Sequence, residues 1–203
     1  MTRPLVRAAG LALALGAAWG GAAQAQSVEL SPFGGYQFGG GLTSPVLGQD
    51  YTLAPSFHWG GTLDLSLGES WRAEVYYSRQ DSELQAPGAG PDFGVVLERL
   101  EAGVMEQRGA GDTKFFGSLL LGVSRFVPKV GDYDTDSHFS GTVALGLKRY
   151  FGKHFGVRGE FRGHWISVET GGGAICSNGS CLFAFSGSGI WQGDLSGGLI
   201  LAF

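Results

Sequence analysis

Phe155-Gly156-Val157-Arg158-Gly159-Glu160-Phe161-Arg162-Gly163-His164-Trp165 changes character at every second residue. Phe155, Val157, Phe161 and Trp165 fall on one parity; Arg158, Glu160, Arg162 and His164 fall on the other. A period of two is the mark of a β-strand, because successive side chains leave opposite faces of the chain. The last segment repeats the pattern. Trp191, Leu195, Leu199, Leu201 and Phe203, with Gly193 and Gly197, oppose Gln192, Asp194, Ser196 and Gly198, before Ile200 and Ala202 turn apolar.

Working outward, Phe139, Val143, Leu145 and Leu147 oppose Ser140, Thr142 and Lys148. Phe57, Trp59, Leu63 and Leu65 oppose Thr62, Asp64 and Ser66. Trp71, Ala73, Val75 and Tyr77 oppose Arg72, Glu74 and Tyr76. Residues 93–107 break the pattern, because Glu98 shares a face with Leu100, Ala102 and Val104; it is expected near the loop end, above any apolar band. The whole chain predicts eight strands, at 28–39, 56–67, 71–81, 93–107, 113–126, 138–151, 155–168 and 189–203. Connections 42–55, 82–92, 127–137 and 169–188 are long, whereas 68–70, 108–112 and 152–154 are short. That alternation predicts an all-β, eight-stranded antiparallel up-and-down barrel rather than a Greek-key sandwich.

Composition agrees. Glycine supplies 37 of 203 residues without a collagen period, charged residues are 16% and hydrophobic ones 43%. This is too apolar for disorder and too rich in glycine for helices. The net charge of −4 comes without a lysine or arginine run, which argues against a nucleic-acid partner. Residues 1–25 read as a secretory signal peptide, with Arg3 and Arg7, an apolar run from Leu11 to Ala18, and a small-x-small site at Ala23-Gln24-Ala25. Residues 26–203 form one barrel domain. No apolar stretch there reaches the roughly 20 residues of a membrane helix, which leaves a transmembrane β-barrel open. Alternation alone suits a soluble barrel with its apolar face inward or a membrane barrel with that face outward.

The chain finishes Gly198-Leu199-Ile200-Leu201-Ala202-Phe203, and Leu199, Leu201 and Phe203 resemble the C-terminal insertion signal of bacterial outer-membrane barrels. Val28-Glu29-Leu30-Ser31-Pro32-Phe33-Gly34-Gly35-Tyr36-Gln37-Phe38-Gly39-Gly40 and Gly141 to Phe151 resemble the small barrel family of the opacity proteins and the OmpA and OmpX barrels. The resemblance implies a bacterial outer-membrane location, termini in the periplasm and four loops outside the cell. It implies as partners outer-membrane lipid and lipopolysaccharide, the barrel-assembly machinery, and an extracellular ligand or host surface. It carries over no catalytic residues and no cofactor, and the expectation is a monomer and not an enzyme. Pro32 is acceptable only at a strand end or a bulge.

With the apolar face outward, Asp64, Glu74, Glu101, Glu160 and Asp194 turn inward against Arg72, Arg99, Lys148, Arg158 and Arg162. Eight strands leave an interior that side chains fill, so the balanced set predicts a salt-bridged plug. A narrow channel for ions or small solutes lined by the same residues is the alternative. Gly141, Gly159, Gly163, Gly193 and Gly197 fall on the outward face. Cys176 and Cys181 bracket an Asn-Gly turn in an exported chain and predict a loop disulfide. Asp132, Asp134 and Asp136 open like a calcium loop, but the sixth position lacks glycine and Val143 replaces the bidentate glutamate, so a solvated loop is expected. A lipid A-modifying enzyme would need His138 and Ser140 to converge with an acid and to face a lipid outside. His58, His154 and His164 are expected in an aromatic girdle, a turn and the lumen respectively.

Overall fold

A computed structural model describes residues 28–44, 49–85, 93–129, 135–167, 173–177, 180–185 and 189–203. The expected signal peptide and most of the acidic loop, residues 130–134, lie outside them. The elements in chain order are β1 (Val28–Gly39), β2 (Gly41–Ser44), β3 (Gln49–Leu53), β4 (Ser56–Ser66), β5 (Trp71–Gln85) and β6 (Phe93–Arg108). There follow β7 (Thr113–Pro128), β8 (Asp136–Tyr150), β9 (Phe155–Ile166), β10 (Gly173–Ser177), β11 (Ser180–Phe185) and β12 (Ile190–Ala202).

Eight long strands close into a barrel. β1 pairs with β4, and β4, β5, β6, β7, β8 and β9 pair in turn. β12 pairs with β9 and returns to β1, every pairing antiparallel. Closure leaves no open edge in this ring, which satisfies the backbone without water. Short turns join the strands at one end; Gly111 and Gly152, with φ of 63° and 90°, adopt the left-handed conformation that such turns require. Two long connections contain hairpins that the alternation did not predict. β2 pairs with β3, which joins the upper part of β5, and β10 pairs with β11.

Pro32 sits inside β1, neither at an end nor at a bulge. The ladder to β12 passes from Leu30 opposite Leu201 to Phe33 opposite Gly198, while the ladder to β4 runs through Pro32 opposite Gly61. The missing N–H therefore interrupts one ladder only.

The wall is apolar outside and polar inside over most of its height. Leu145, Leu195 and Trp191 are 71%, 64% and 66% exposed, whereas Asp64, Glu74, Lys148 and Arg162 are wholly buried. A water-surrounded barrel would reverse this, because exposing such side chains forfeits about 1.5–3 kcal/mol each. Lipid is the solvent in which the arrangement is stable. The five outward glycines take outward positions, and the Phe38 ring lies over Gly193, where an added Cβ would meet it at 2.8 Å.

Towards the long-loop end the polarity inverts. β5 runs to Gln85, four residues beyond its expected end at Asp81, and its outward residues change from Val75 and Tyr77 to Arg79, Asp81 and Glu83. Inward positions change from Arg72 and Glu74 to Leu84 on β5, and from Glu101 and Arg99 to Leu97 and Val95 on β6. Glu98 faces outward in this upper zone, where it accepts hydrogen bonds from Arg79 Nη1 at 3.0 Å and Tyr77 OH at 3.4 Å.

Candidate functional site

The interior is the polar centre of the molecule, and it is layered. At the short-turn end, Glu29 receives Arg72 Nη2 at 2.9 Å, Lys148 Nζ at 2.7 Å and the Tyr150 hydroxyl at 2.8 Å. Lys148 also reaches Asp64 at 2.7 Å. Arg158 joins Asp64 at 3.5 Å, Thr62 at 2.5 Å and Glu160 at 2.6 Å. Arg162 Nη2 then ties Glu160 at 2.9 Å to Glu74 at 2.6 Å, and Ser118 donates to Glu74 at 2.9 Å. The guanidinium of Arg158 lies 4.8 Å from the Phe116 ring centroid, and that of Arg162 lies 4.3 Å from Tyr76. Apart from Arg72, which meets Glu29 alone, these charges are held by two or more partners each, the condition under which buried ion pairs are tolerated.

The middle layer mixes aromatic rings with single polar links. Tyr76 stacks on Phe33, with centroids 5.4 Å apart and planes within 5°. Phe33 fits because its neighbours on both adjacent strands are glycines. A Cβ on Gly60 or Gly198 would come within 2.8 Å or 2.9 Å of its side chain. His164 links Asp194 through Nε2 at 2.5 Å and Thr142 through Nδ1 at 2.7 Å. His58 Nε2 stands 3.6 Å from the other oxygen of Asp194. Arg99 donates to Gln37 at 3.2 Å and to Gln192, and Ser140 donates to Glu101 at 2.7 Å.

Above this the lumen turns apolar. Tyr51, Leu53, Leu84, Val95, Leu97, Phe126, Ile166 and Ile190 form one buried cluster beneath the long-loop end. Tyr51 and Leu53 come from β3, anchored by Leu53 N to Gly40 O at 3.0 Å and Ala54 N to Glu83 O at 2.8 Å.

All ten charged residues assigned inward from the sequence are buried. Eight of them share the ion-pair and hydrogen-bond links above, but Arg99 meets two glutamines and Glu101 a serine, not a carboxylate and a cation. Arg99 projects across the lumen toward β1 and β12, whereas Glu101 projects toward β8. The balance of five acids and five bases is also corrected, because among the described residues Glu29 adds a sixth buried carboxylate. Glu29 and Gln37 were legible in principle: with Ser31 they share a parity opposite Leu30, Tyr36 and Phe38. His58, expected in a girdle, instead points inward on the parity of Thr62 and Asp64. His154 lies in the turn before β9, with Nδ1 2.9 Å from Ala202 O.

His138 and Ser140 engage different carboxylates. His138 Nε2 lies 2.9 Å from Asp136, and the Ser140 hydroxyl is committed to Glu101. Cys176 and Cys181 are opposite one another in the β10–β11 register, but the expected disulfide concerns side chains outside the described residues. Leu199, Leu201 and Phe203 keep the outward parity of β12 and its end. Among the described residues no cluster of three or more histidine, cysteine, aspartate or glutamate side chains is built to hold a metal.

A closed eight-stranded barrel, apolar towards lipid and internally ion-paired, defines a transmembrane β-barrel of the bacterial outer membrane. The chain belongs to the outer membrane protein beta-barrel domain family, whose model matches residues 10–199. Its fold is similar to that of Neisserial surface protein A, at 14% identity and TM-score 0.63, covering 89% of this chain and 100% of that one. It is similar as well to OprG from Pseudomonas aeruginosa, at 10% identity and TM-score 0.58, covering 87% and 97%. Comparison with curated protein sequences finds no match.

Proposed function

We propose that this protein is a closed barrel that presents its long connections at the cell surface on a rigid base, without conducting solutes and without enzymatic chemistry. The observation that carries the reading is a lumen occupied along its length. Ion pairs fill the periplasmic half, stacked rings and single hydrogen bonds the middle, and an apolar cluster the extracellular mouth. Water and ions would have to displace both a dry cap and a linked charge network, and an eight-stranded barrel has no spare width for them. A ligand or host surface would meet the barrel at its long connections. The outward Leu199, Leu201 and Phe203 suit recognition by the assembly machinery during insertion.

Planar-bilayer recording tests this reading. The unmodified barrel is expected to show no ohmic pore, and Arg158→Ala and Glu160→Ala barrels are expected to stay closed under the intact cap. A large ohmic conductance from the unmodified protein would replace it with the channel reading. Release of acyl chains from lipid A by the purified barrel, lost in Ser140→Ala, would restore the enzyme.

A further inference from the structure

At the short-turn end the lumen holds a cavity of about 210 Å³. It lies between the first residues of β5 and β7 and the last of β6 and β8, lined by Arg72, Gln107, Lys114 and Tyr150, with Asp112 of the β6–β7 turn at its edge. Its walls are held in place by the backbone. Gln107 N donates to Ser70 O at 2.8 Å, and Tyr150 N donates to Asp112 O at 2.8 Å. Beneath them the buried Glu29 receives the Tyr150 hydroxyl at 2.8 Å and Arg72 Nη2 at 2.9 Å. The cavity is therefore built before anything enters it, which lowers the cost of binding.

Three polar groups of the lining are left open by this frame. The Arg72 side chain is 7% exposed, and its Nε and Nη1 make no hydrogen bond among the described residues. The buried Oε1 of Gln107 accepts none there either. Lys114 Nζ donates to a neutral carbonyl, Gly109 O, at 2.9 Å and makes no ion pair among the described residues. Buried donors and acceptors without partners are costly, so a ligand that meets them gains affinity. Two cations call for an anion. The carboxylates of Glu29 and Asp112 nearby limit its charge, which favours a carboxylate over a phosphate dianion. Gln107 Oε1 requires an N–H beside that anion. The volume is below the roughly 300–1,000 Å³ of pockets that enclose a whole small ligand, so the cavity suits an end group. A peptide C-terminus carries a carboxylate and an amide N–H within one residue.

We infer that this mouth of the barrel binds the C-terminal carboxylate of a peptide. Arg72 and Lys114 take the carboxylate through charge-assisted hydrogen bonds, and Gln107 accepts one from the last amide N–H. The site lies at the end of the barrel opposite the long connections and goes beyond their presentation. With those connections at the cell surface, the cavity faces the periplasm. It does not depend on a closed lumen, so conductance and peptide binding fail independently.

The test is calorimetric titration of the folded barrel in detergent with N-acetyl-dialanine, with its C-terminal carboxamide as comparison. The carboxamide is expected to bind about tenfold more weakly than the acid, equivalent to about 1.4 kcal/mol. Lys114→Ala should weaken the acid about tenfold and erase most of its advantage over the carboxamide. Gln107→Leu should weaken both alike, because both carry the N–H. Arg149→Ala, which removes an exposed arginine bonded to Thr113, should bind as the parent does. The all-L and all-D acids separate a protein end from a cell-wall peptide as the source, and tighter binding of either upholds the shared chemistry. Equal affinity for acid and carboxamide, or unchanged binding of the acid by Lys114→Ala, overturns the inference. So does tighter binding of inorganic phosphate than of the acid, or no heat with either peptide. Heat-modifiable gel mobility of each variant separates lost binding from lost folding.

Discussion

The membrane-spanning part of the wall and its extension at the long-loop end are made from the same strands with opposite logic. On β7 the outward residues Leu119, Leu121 and Val123 give way to Arg125, while the inward residues pass from Ser118 to Phe126. On β5 outward Val75 and Tyr77 give way to Arg79 and Asp81, and inward Glu74 gives way to Leu84. The strand does not shift register; its surroundings change. Where lipid lies outside, polar side chains turn inward and neutralise one another. Where water lies outside, the same parity builds an ordinary apolar core. The inversion marks the boundary between the two solvents on the β5–β7 wall.

The sharpest break of this comparison lies in the lumen. Arg162→Leu leaves Glu74 without its nearest cation and Glu160 with Arg158 alone, in a buried site. A loss of about 3–5 kcal/mol is expected in urea unfolding from lipid vesicles. A smaller loss would mean that water enters the network and relieves the unpaired charge.

Leu97→Ala, in the cap, removes apolar packing and should cost about 2–5 kcal/mol. The damage should concentrate at the long-loop end, read as faster amide exchange in β3 and the upper parts of β5 and β6. Exchange rising equally in the short-turn half would show one cooperative core instead of two.

A paired experiment on one strand face locates the boundary itself. Leu119→Arg places a charge amid lipid and should cost about 2–4 kcal/mol, whereas Val127→Arg, on the same face beyond the inversion, should cost about 0–1 kcal/mol. Equal costs would remove the boundary from between them.

The smallest effect is at Asp81, on the extension outside the membrane. A hydrogen bond from Lys129 holds its carboxyl below the usual carboxylate range, helped by the charges of Lys129 and Arg79 and opposed by partial burial. A lowered folded-state pKa stabilises above the unfolded value, and that gain disappears as pH falls through the lowered one. Because both partners are substantially exposed and screened, Asp81→Asn should cost no more than about 1 kcal/mol at neutral pH. The difference from the parent should vanish in acid and shrink in high salt, as read from unfolding midpoints.

Much of this architecture is legible in residues 155–165 and 189–203, because a strand between two solvents repeats its chemistry every two residues. The same rule places all ten predicted interior charges inside. It fails where the solvent changes along a strand. The expected end of β5 at Asp81 falls short of Gln85 because a fixed parity cannot register an exchange of faces, whereas Glu98 lies near the loop end, where its break in the β6 pattern placed it. Glu29 went unread in a strand interrupted by Pro32. The β2–β3 and β10–β11 hairpins lay in segments whose turn residues hid their pairing.

The sequence by itself determined the number of barrel strands, the alternation of long and short connections and which side chains share a face, since period two is a local property of backbone geometry. Only the tertiary structure decided which interior charges meet. Arg162 finds Glu74 across the lumen and Glu160 on its own strand, while Arg99 finds glutamines, because reach across the lumen depends on how the strands stagger when the barrel closes. Only closure brings Tyr51 and Leu53 over the mouth as part of a dry cap, and only the assembled wall gathers Arg79, Glu98 and Arg125 into a single row.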